Sequence, residues 1–248
     1  MQNRSVRIVL VRPRNPLNLA AAARAAMNFG FEDLVVVSPH PPVWEEAQAA
    51  PGARRWLGQV RHALRLAEAI TDCHRVYGTS SLARRRLPEP GRFVLLPDLR
   101  KVLARHRGAK RIALLFGSEK RGLTNADLSR CHAIVRIPTI SETPSMNLGQ
   151  AVAVCCYELS RISHRKTDLA AIPPKATAAS MREVVRLIDA IEKLLPPAQK
   201  RQQGRRRTRL REMFLRWSPA SRDVALLLGV FRDLAWRIQN PQRLGPEK

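Results

Sequence analysis

Short apolar runs, each closed by a turn residue, alternate with helical stretches over roughly the first 160 residues of this 248-residue chain. The clearest pair spans residues 112–116, which end at Gly117, and residues 133–137, which end before Pro138. Apolar runs of this length that stop at turn residues are typical of strands buried on both faces. Because strands and helices alternate, the pattern predicts an α/β domain on a mostly parallel sheet with helices on both faces.

Three more strands are predicted at residues 6–11, 34–37 and 75–78. Helical periodicity or helix-forming composition predicts helices at residues 17–28, 59–70 and 97–106, and one that begins near Asn147. Thr124 and Asp127 fit a capping box at the start of a short helix. Residues 39–58 show no regular pattern, so we expect irregular structure there. Ligands of open parallel sheets bind outside the carboxyl ends of the strands, so the loops after these strands are the expected site.

The composition shifts after about residue 161, where adjacent prolines and the loss of periodicity predict a linker. We expect a helix at residues 181–195, a strongly basic helix after residue 203, and a last helix with Ser218 as its N-cap and Pro219 in its first turn. Trp217 and Trp236 are expected to be core residues. The predicted organisation is an α/β domain at residues 1–162, a linker at 163–180 and a basic helical extension at 181–248.

The charge balance indicates a polyanionic partner. The chain has 44 Lys and Arg against 20 Asp and Glu, a net charge of +24. Residues 161–248 alone hold 20 basic against 8 acidic residues, so the extension is the denser cationic part. Nucleic acid is favoured over an acidic membrane surface. The loop at Arg84, Arg85 and Arg86 is either a phosphate contact or a solvated face, and the sequence leaves both open.

Other classes of protein and site are disfavoured. The four cysteines form no CxxC pair and the six histidines lack zinc-site spacing, so we expect buried reduced thiols and no metal. There is no apolar stretch of transmembrane length and no signal-peptide pattern, which predicts a cytoplasmic protein without membrane association. Phosphate-loop, dinucleotide-binding and common hydrolase motifs do not occur in the sequence.

Three loop segments carry a specific resemblance. PRNPLNLAAAARA, FGSEKRGLTNADL and IPTISETPSMNLGQAVAV resemble, in order and spacing, the three signature motifs of the SpoU–TrmH branch of the SPOUT RNA methyltransferases. The extension, with LREMFLRWSPASRDVALLLGVFRDL, is similar to that of the TrmJ-like subfamily, which methylates the ribose at position 32 of tRNA. The resemblance implies an α/β domain with a C-terminal deep trefoil knot, S-adenosyl-L-methionine as methyl donor, and a homodimer.

The resemblance also implies site residues. Positions that match the cofactor-binding loops of the family are Thr79, Ser80, Ser81, Gly117, Ile137, Pro144, Ser145 and Met146. Polar positions that match the catalytic centre are Asn18, Arg24, Glu119, Ser145 and Asn147.

Simpler roles stand beside these assignments. Asn18 or Asn147 could only cap a helix, and Glu119 could pair with Lys120 in a solvated turn. The family's arginine is usually described as activating the ribose hydroxyl. Guanidinium has five donors and no acceptor, so Arg24 could instead clamp a phosphate and stabilise negative charge on the 2′-oxygen.

We therefore expect ribose 2′-O-methylation of tRNA, most specifically at position 32 of the anticodon loop. Two alternatives remain open. One is an rRNA 2′-O-methyltransferase of the same fold, and the other is a non-catalytic RNA-binding protein. Whether the basic extension binds in cis or across the dimer is also left open.

Overall fold

The computed structural model describes residues 5–40, 42–49, 57–81, 92–106, 108–160, 177–196 and 200–240. The loop with Arg84, Arg85 and Arg86, most of the predicted linker (163–176) and the end of the extension (241–248) lie outside the described residues. No described helix is long and apolar enough to cross a membrane.

A seven-stranded sheet is the centre of the described structure, and every strand pairing in it is parallel. The strand order is β3-β2-β1-β6-β4-β7-β5, with Leu10 opposite Phe116 and Gly78 opposite Leu115. The strands are β1 Ser5–Val11, β2 Leu34–Val37, β3 Arg61–Ala63, β4 Arg75–Thr79, β5 Phe93–Leu95, β6 Arg111–Phe116 and β7 Ala133–Arg136. The predicted α/β class and parallel sheet are confirmed.

Nine helices are described around this sheet. Those that precede residue 161 are α1 Pro16–Asn28, α2 Val43–Ala49, α3 Leu66–Ile70, α4 Leu96–Arg105, α5 Asn125–Leu128 and α6 Leu148–Ser160. The C-terminal helices are α7 Met181–Leu194, α8 Lys200–Trp217 and α9 Ser221–Gln239. We call residues 5–160 the sheet region.

Alternate residues of the strands pack on opposite faces of the sheet, as the two-residue period of a strand requires. In β1, Ile8 and Leu10 belong to the hydrophobic cluster that includes the alanines of α1 and residues of α4 and α6. Val9 and Val11 belong to the cluster on the other face, with residues of α3 and α5. Helices therefore cover both faces, and the strands are buried on both sides as predicted.

Helices α1 and α6 run parallel and approach closely. A Cβ on Gly149 would lie 2.8 Å from the Cβ of Ala21, and the rings of Phe29 and Tyr157 meet edge to face at 6.0 Å. Small side chains make this approach possible, in agreement with the alanine-rich composition of α1.

Several local predictions are wrong. Residues 59–70 do not form one helix, because 61–63 add β3 to the sheet edge and α3 begins at Leu66. The periodicity that suggested a longer helix included Leu64, which is 82% exposed. Part of the segment expected to be irregular forms α2, and β5 was missed.

The start of α9 also differs from the prediction. Ser218 has a left-handed φ of 54°, and Ala220 is the N-cap of the helix, so the helix starts two residues later than a Pro219 start would give. Trp217 and Trp236 are 57% and 48% exposed rather than core residues. Trp217 stacks on Phe214 with ring centroids 5.9 Å apart.

The C-terminal helices are attached to the face of the sheet that carries α3 and α5. The backbone N–H groups of Met181 and Arg182 donate to the carbonyls of Cys73 and Thr71 at 2.9 and 2.8 Å. Leu215 of α8 is buried in the hydrophobic cluster on that face. A third cluster of residues from α7, α8 and α9 holds the three helices together.

A buried ion network lies at the amino end of the sheet. Arg7, only 3% exposed, pairs with Asp33 at 3.0 Å and with Asp72 at 2.6 Å, and donates to the carbonyl of Ala69 at 2.6 Å. Asp72 also pairs with Arg111. Both carboxylates are thus held by arginines, so the charge that is buried here is compensated.

The four cysteines are free and buried, as predicted. Burial raises the pKa of the Cys73, Cys131 and Cys156 thiols to about 12 and raises that of Cys155 further. At neutral pH these thiols stay protonated, which suits side chains that serve as small hydrophobic groups in the core.

Candidate functional site

A pocket of about 570 Å³ opens at the carboxyl ends of β4, β6 and β7. Its floor includes Phe116 and Val135, and its sides come from the segments that follow the three strands. This is where a parallel sheet places a ligand, because the loops after neighbouring strands meet at one edge. The volume is within the range of pockets for small molecules and cofactors.

All eight residues that the sequence predicted for cofactor binding line this one pocket. They come from three separate parts of the chain, namely Thr79, Ser80 and Ser81 after β4, Gly117 after β6, and Ile137, Pro144, Ser145 and Met146 after β7. The structure thus brings the predicted set together, and their role in binding remains a prediction.

Gly117 is required by a close approach of backbone. A Cβ at this position would lie 2.0 Å from the carbonyl carbon of Gly122 and 2.1 Å from the nitrogen of Leu123. Gly122 closes the same turn with a φ of +63° and donates its N–H to Ser118 O at 2.7 Å. The turn is therefore tight, and its residues 117–123 line one side of the pocket.

Hydrogen bonds hold the segments after β4 and β7 in place. The hydroxyl of Thr79 donates to Leu115 O at 2.9 Å, and Ser80 N donates to Val135 O at 3.1 Å. Within the segment after β7, the hydroxyl of Thr139 donates to Pro144 O at 3.2 Å. The pocket is thus pre-formed by contacts that belong to the fold.

Three of the predicted catalytic residues form a chain of hydrogen bonds at the rim of the pocket. The Asn147 side-chain amide donates to Asn18 Oδ1 at 2.7 Å, and that of Asn18 donates to Glu119 Oε1 at 3.1 Å. The Glu119 carboxylate also accepts the backbone N–H groups of Arg14 and Asn15 at 3.0 and 3.2 Å. Glu119 thereby holds the first loop against the turn after β6.

The structure shows which of these residues has the simpler role of capping a helix. Asn147 does cap a helix, because its Oδ1 accepts from Gly149 N at 2.9 Å, and it also bonds to Asn18. Asn18 is not a cap, since Asn15 caps α1 by accepting from the N–H groups of Leu17 and Asn18. Ser145, the remaining residue of this predicted group apart from Arg24, lies on the pocket wall.

Arg24 lies away from this network. A helix rises 1.5 Å and turns 100° per residue, so Arg24 is about 9 Å along α1 from Asn18 and about 120° around the axis. It is exposed and does not line the pocket. Among the described residues it makes no ion pair. Within one chain, the predicted catalytic arginine is therefore separate from the other predicted residues.

Sequence reasoning missed a second link between the loops. Arg12, the residue after β1, pairs with the buried carboxylate of Asp127 in the capping box of α5. Burial raises the pKa of Asp127, but hydrogen bonds from Arg12 and Thr124 outweigh it and keep the pKa below its ordinary value. Arg12 has a φ of 54°, and such left-handed backbone in a non-glycine residue is costly and is found near functional sites. That φ value has no signature in the sequence.

In the described part of the chain, no group of three or more His, Cys, Asp or Glu residues is arranged to hold a metal ion. What the pocket offers instead is hydroxyls, backbone peptide groups and an apolar wall with Ile137 and Leu148.

One relative of known function matches nearly the whole length of the chain, and a second matches part of it. It is 30% identical over 250 residues to the tRNA (cytidine/uridine-2′-O-)-methyltransferase TrmJ of Sodalis glossinidius, covering 98% of this chain and 96% of the relative. The tRNA (cytidine/uridine/adenosine-2′-O-)-methyltransferase TrmJ of Pseudomonas aeruginosa is 40% identical over 157 residues, which are 62% of this chain and 60% of that protein.

A solved structure shows the same fold, and a family model matches the region that builds the pocket. The crystal structure of TrmJ from Z. mobilis ZM4 superposes with a TM-score of 0.73 at 28% identity, over 92% of this chain and 98% of that one. The model of the SpoU rRNA Methylase family matches residues 5–157, which contain all seven strands described above. The chain belongs to the SpoU rRNA Methylase family.

Proposed function

We propose that this protein is an S-adenosylmethionine-dependent RNA methyltransferase that modifies a ribose 2′-hydroxyl of tRNA. The observation that carries the proposal is the convergence of all eight predicted cofactor positions on one pocket, beside the Asn147–Asn18–Glu119 chain. The full-length similarity to tRNA 2′-O-methyltransferases supports tRNA as the substrate.

The residues of the pocket fit S-adenosylmethionine. An adenosine needs an apolar slot with peptide groups at its edge, and Ile137 with the tight turn at Gly117 offers both. The hydroxyls of Thr79, Ser80 and Ser81 are suited to the polar groups of the ribose and the amino acid part. When bound, the cofactor supplies a methyl group on a positively charged sulfur.

The polar chain is suited to positioning the reacting ribose. Glu119 fixes Asn18, and Asn18 fixes Asn147, so the two amides have one orientation each before RNA arrives. Pre-oriented groups hold the 2′-oxygen in line with the methyl group, and such positioning accounts for much of the acceleration in a displacement reaction. The role of Ser145 in this proposal is to contact the reacting groups from the facing wall.

Arg24 acts in this proposal as a clamp on the RNA phosphate and as a stabiliser of negative charge on the 2′-oxygen. A guanidinium has donors only, which suits both tasks. Its distance from Asn18 on α1 supports delivery to the pocket of a partner subunit rather than to its own.

A homodimer is part of the proposal, and an exposed apolar surface on α1 and α6 supports it. Leu17 is 69% exposed, Tyr157 is 54% exposed and Val154 is also exposed, although these helices form the core on their other sides. Arg24 lies two turns from Leu17, on the same side of α1. Exposed apolar side chains on two adjacent helices are expected to pack against a partner.

The proposal includes the predicted deep trefoil knot. After β7 the chain passes the end of β4 at the pocket and then enters α6, which packs on α1. In the proposed topology, this crossing segment is threaded through a loop. In a single-molecule stretching experiment on residues 5–160, a knot leaves the extended chain shorter than about 3.3–3.6 Å per residue. A full-length extension would contradict the knot.

We assign residues 1–162 to the methyltransferase domain, 163–180 to a linker and 181–248 to tRNA binding, with position 32 of the anticodon loop as the target. The enzyme is placed in the cytoplasm, where its substrate is. The density of positive charge after residue 161 supports this division.

Methyl transfer from labelled S-adenosylmethionine to tRNA and to rRNA is the direct test. We expect incorporation into tRNA at position 32 only, and loss of it in Asn147→Ala. Incorporation into rRNA alone supports the rRNA alternative. Tight RNA binding by a protein that binds no S-adenosylmethionine in calorimetry supports a non-catalytic module.

Mixing two inactive variants tests where Arg24 acts. If Arg24 serves the partner's pocket, dimers formed from Arg24→Ala and Asn147→Ala chains have one complete site. An equal mixture then recovers up to about a quarter of the wild-type rate, because half of the dimers are mixed in a two-fold assembly. No recovery from a dimeric mixture would mean that Arg24 acts within its own chain.

A further inference from the structure

Helix α8 is fixed to the turn after α5 by contacts on two sides. Leu215 is buried in one hydrophobic cluster with Leu128 and Cys131. Arg92 adds a polar link, since it donates to the carbonyls of Leu128 and Cys131 at 3.3 and 2.7 Å and lies 3.5 Å from the Glu212 carboxylate. The short segment 128–131 and the middle of α8 are therefore rigidly apposed.

Two arginines are brought together by this packing. Arg130 lies in the turn between Leu128 and Cys131, and Arg211 directly precedes Glu212. Both are partly buried, and the Nε of Arg211 is buried without a hydrogen-bond partner among the described residues. Burial, and after it the charges of Arg130 and Arg207, lower the pKa of Arg211 to about 10.

The carboxylates nearby are already engaged by other arginines. Glu212 faces Arg92, and Asp189 accepts from Arg207 at 2.5 Å. In the chain as described, neither Arg130 nor Arg211 has an ion pair of its own. Glu212 offsets part of the charge of Arg211, but it is shared with Arg92, so the two partly buried cations keep an excess of positive charge that the fold does not itself compensate.

We propose that Arg130 and Arg211 form a binding site for a backbone phosphate of RNA at the junction of the sheet region and α8. One phosphodiester accepts from two guanidinium groups, and its single negative charge offsets the excess that Glu212 leaves uncompensated. Guanidinium is well suited to this, because its planar set of donors matches phosphate oxygens. We call Arg130 and Arg211 the junction site.

The junction site rests on the proposed function and extends it. β7 leads from the turn that contains Arg130 to Ile137 in the pocket, and the four residue steps from Ala133 to Ile137 span about 13 Å. An RNA held at both places would be bound by α8 and by the catalytic region together. Through the junction site, α8 thus sets the position of the RNA relative to the pocket, and it also strengthens RNA binding.

The test compares Arg130→Gln, Arg211→Gln and the double variant with Lys101→Gln. Lys101 is exposed on α4, which packs on the opposite face of the sheet, so this control removes the same charge elsewhere. Affinity for unmodified tRNA is measured by fluorescence anisotropy between about 50 and about 200 mM salt. We expect the double variant to bind about tenfold more weakly, with a salt slope smaller by about 0.7–0.9, as for one lost phosphate contact.

Melting temperature separates a binding role from a structural one. Because the arginines repel each other, Arg211→Gln should melt at or slightly above the wild-type temperature, and inorganic phosphate should raise the melting temperature of the wild type more than that of the double variant. An unchanged salt slope, a slope change equal to that of Lys101→Gln, or a large fall in melting temperature would overturn the junction site.

Methylation by the wild type, measured in parallel, keeps the two proposals distinct. If the wild type methylates tRNA and the variants bind with an unchanged slope, the junction site is wrong and the proposed function stands. If the slope changes as expected but the wild type methylates no RNA, the junction site stands as an RNA contact and the enzymatic proposal fails.

Discussion

Arg7 in the sheet region and Arg211 in α8 are both removed from water, but their surroundings are opposite. Burial lowers the pKa of Arg7, yet the hydrogen bond to Asp72 and the charges of Asp72 and Asp33 raise it above its ordinary value. The pKa of Arg211 is lowered to about 10 by burial and by neighbouring arginines. The sheet region compensates its buried charge internally, whereas α8 leaves charge for a ligand to compensate.

Glycines show the same contrast between the two regions. Gly117 has backbone atoms about 2 Å from where a Cβ would be, so the turn at the pocket depends on it. Gly204 in α8 has nothing within 4 Å of that position. The backbone of the sheet region packs tightly around the pocket, whereas the exposed side of α8 at Gly204 is loosely packed.

Among the tests of this contrast, replacement of Arg7 is expected to have the largest effect on stability. Arg7→Met leaves Asp33 and Asp72 with only their more exposed partners, and breaking a buried pair is strongly destabilising. Because both carboxylates are partly exposed, we expect a loss of about 3 kcal/mol in the free energy of unfolding, measured in urea.

Arg211→Met is the matched variant for that measurement. It removes the same charge from a site whose one nearby carboxylate, Glu212, already pairs with Arg92, so we expect it to be neutral or slightly stabilising. Equal losses in the two variants would show that burial of the alkyl chain, and not charge compensation, determines both values.

The two glycine substitutions are expected to change the free energy of unfolding in opposite directions. Gly117→Ala forces the turn at the pocket to move and should cost about 2 kcal/mol, with loss of S-adenosylmethionine binding in calorimetry. Gly204→Ala should stabilise α8 by up to about 1 kcal/mol, because alanine is the better helix former. A Gly117→Ala protein that binds the cofactor normally would mean that the tight turn is not needed.

The strands that form the centre of the sheet could be predicted, because apolar runs closed by turn residues are buried on both faces and carry a strong pattern. The edge strands β3 and β5 could not. Each has three residues and is partly exposed, so no periodicity distinguishes it. β3 forms only because β2 offers an open edge, which is a tertiary effect.

For the candidate site, the resemblance of the loop motifs to the SpoU–TrmH branch was enough to predict eight residues that line one pocket. The hydrogen-bond partners of these residues could not be predicted from the sequence. Asn18 and Asn147 are 129 positions apart, and nothing local signals their hydrogen bond. The same holds for Arg7 and Asp72, 65 positions apart.

The smallest expected effect is the change in the free energy of unfolding at acid pH, which depends on the charge of Asp72. Burial raises the pKa of Asp72, but hydrogen bonds and charges of Arg7 and Arg111 bring it down to about 2. The unfolded value is near 3.9, so the folded pKa is depressed and the stabilisation is present above about pH 4. It is lost as the pH falls towards 2. Since Asp72 is about one-third exposed, the contribution is about 1 kcal/mol rather than the full shift.

Urea unfolding of wild type and Asp72→Asn between about pH 5 and about pH 2 measures this contribution. We expect the variant to be less stable at the upper end, with the difference closing as the pH falls, because the wild-type carboxyl becomes protonated and loses its attraction to Arg7. Asp98→Asn on the exposed surface of α4 is the matched control and should show little difference at any pH. If the difference in stability between wild type and Asp72→Asn stays constant with pH, its cause is hydrogen-bond geometry rather than the charge of Asp72. Charge compensation at the amino end of the sheet would then not be what distinguishes the sheet region from α8.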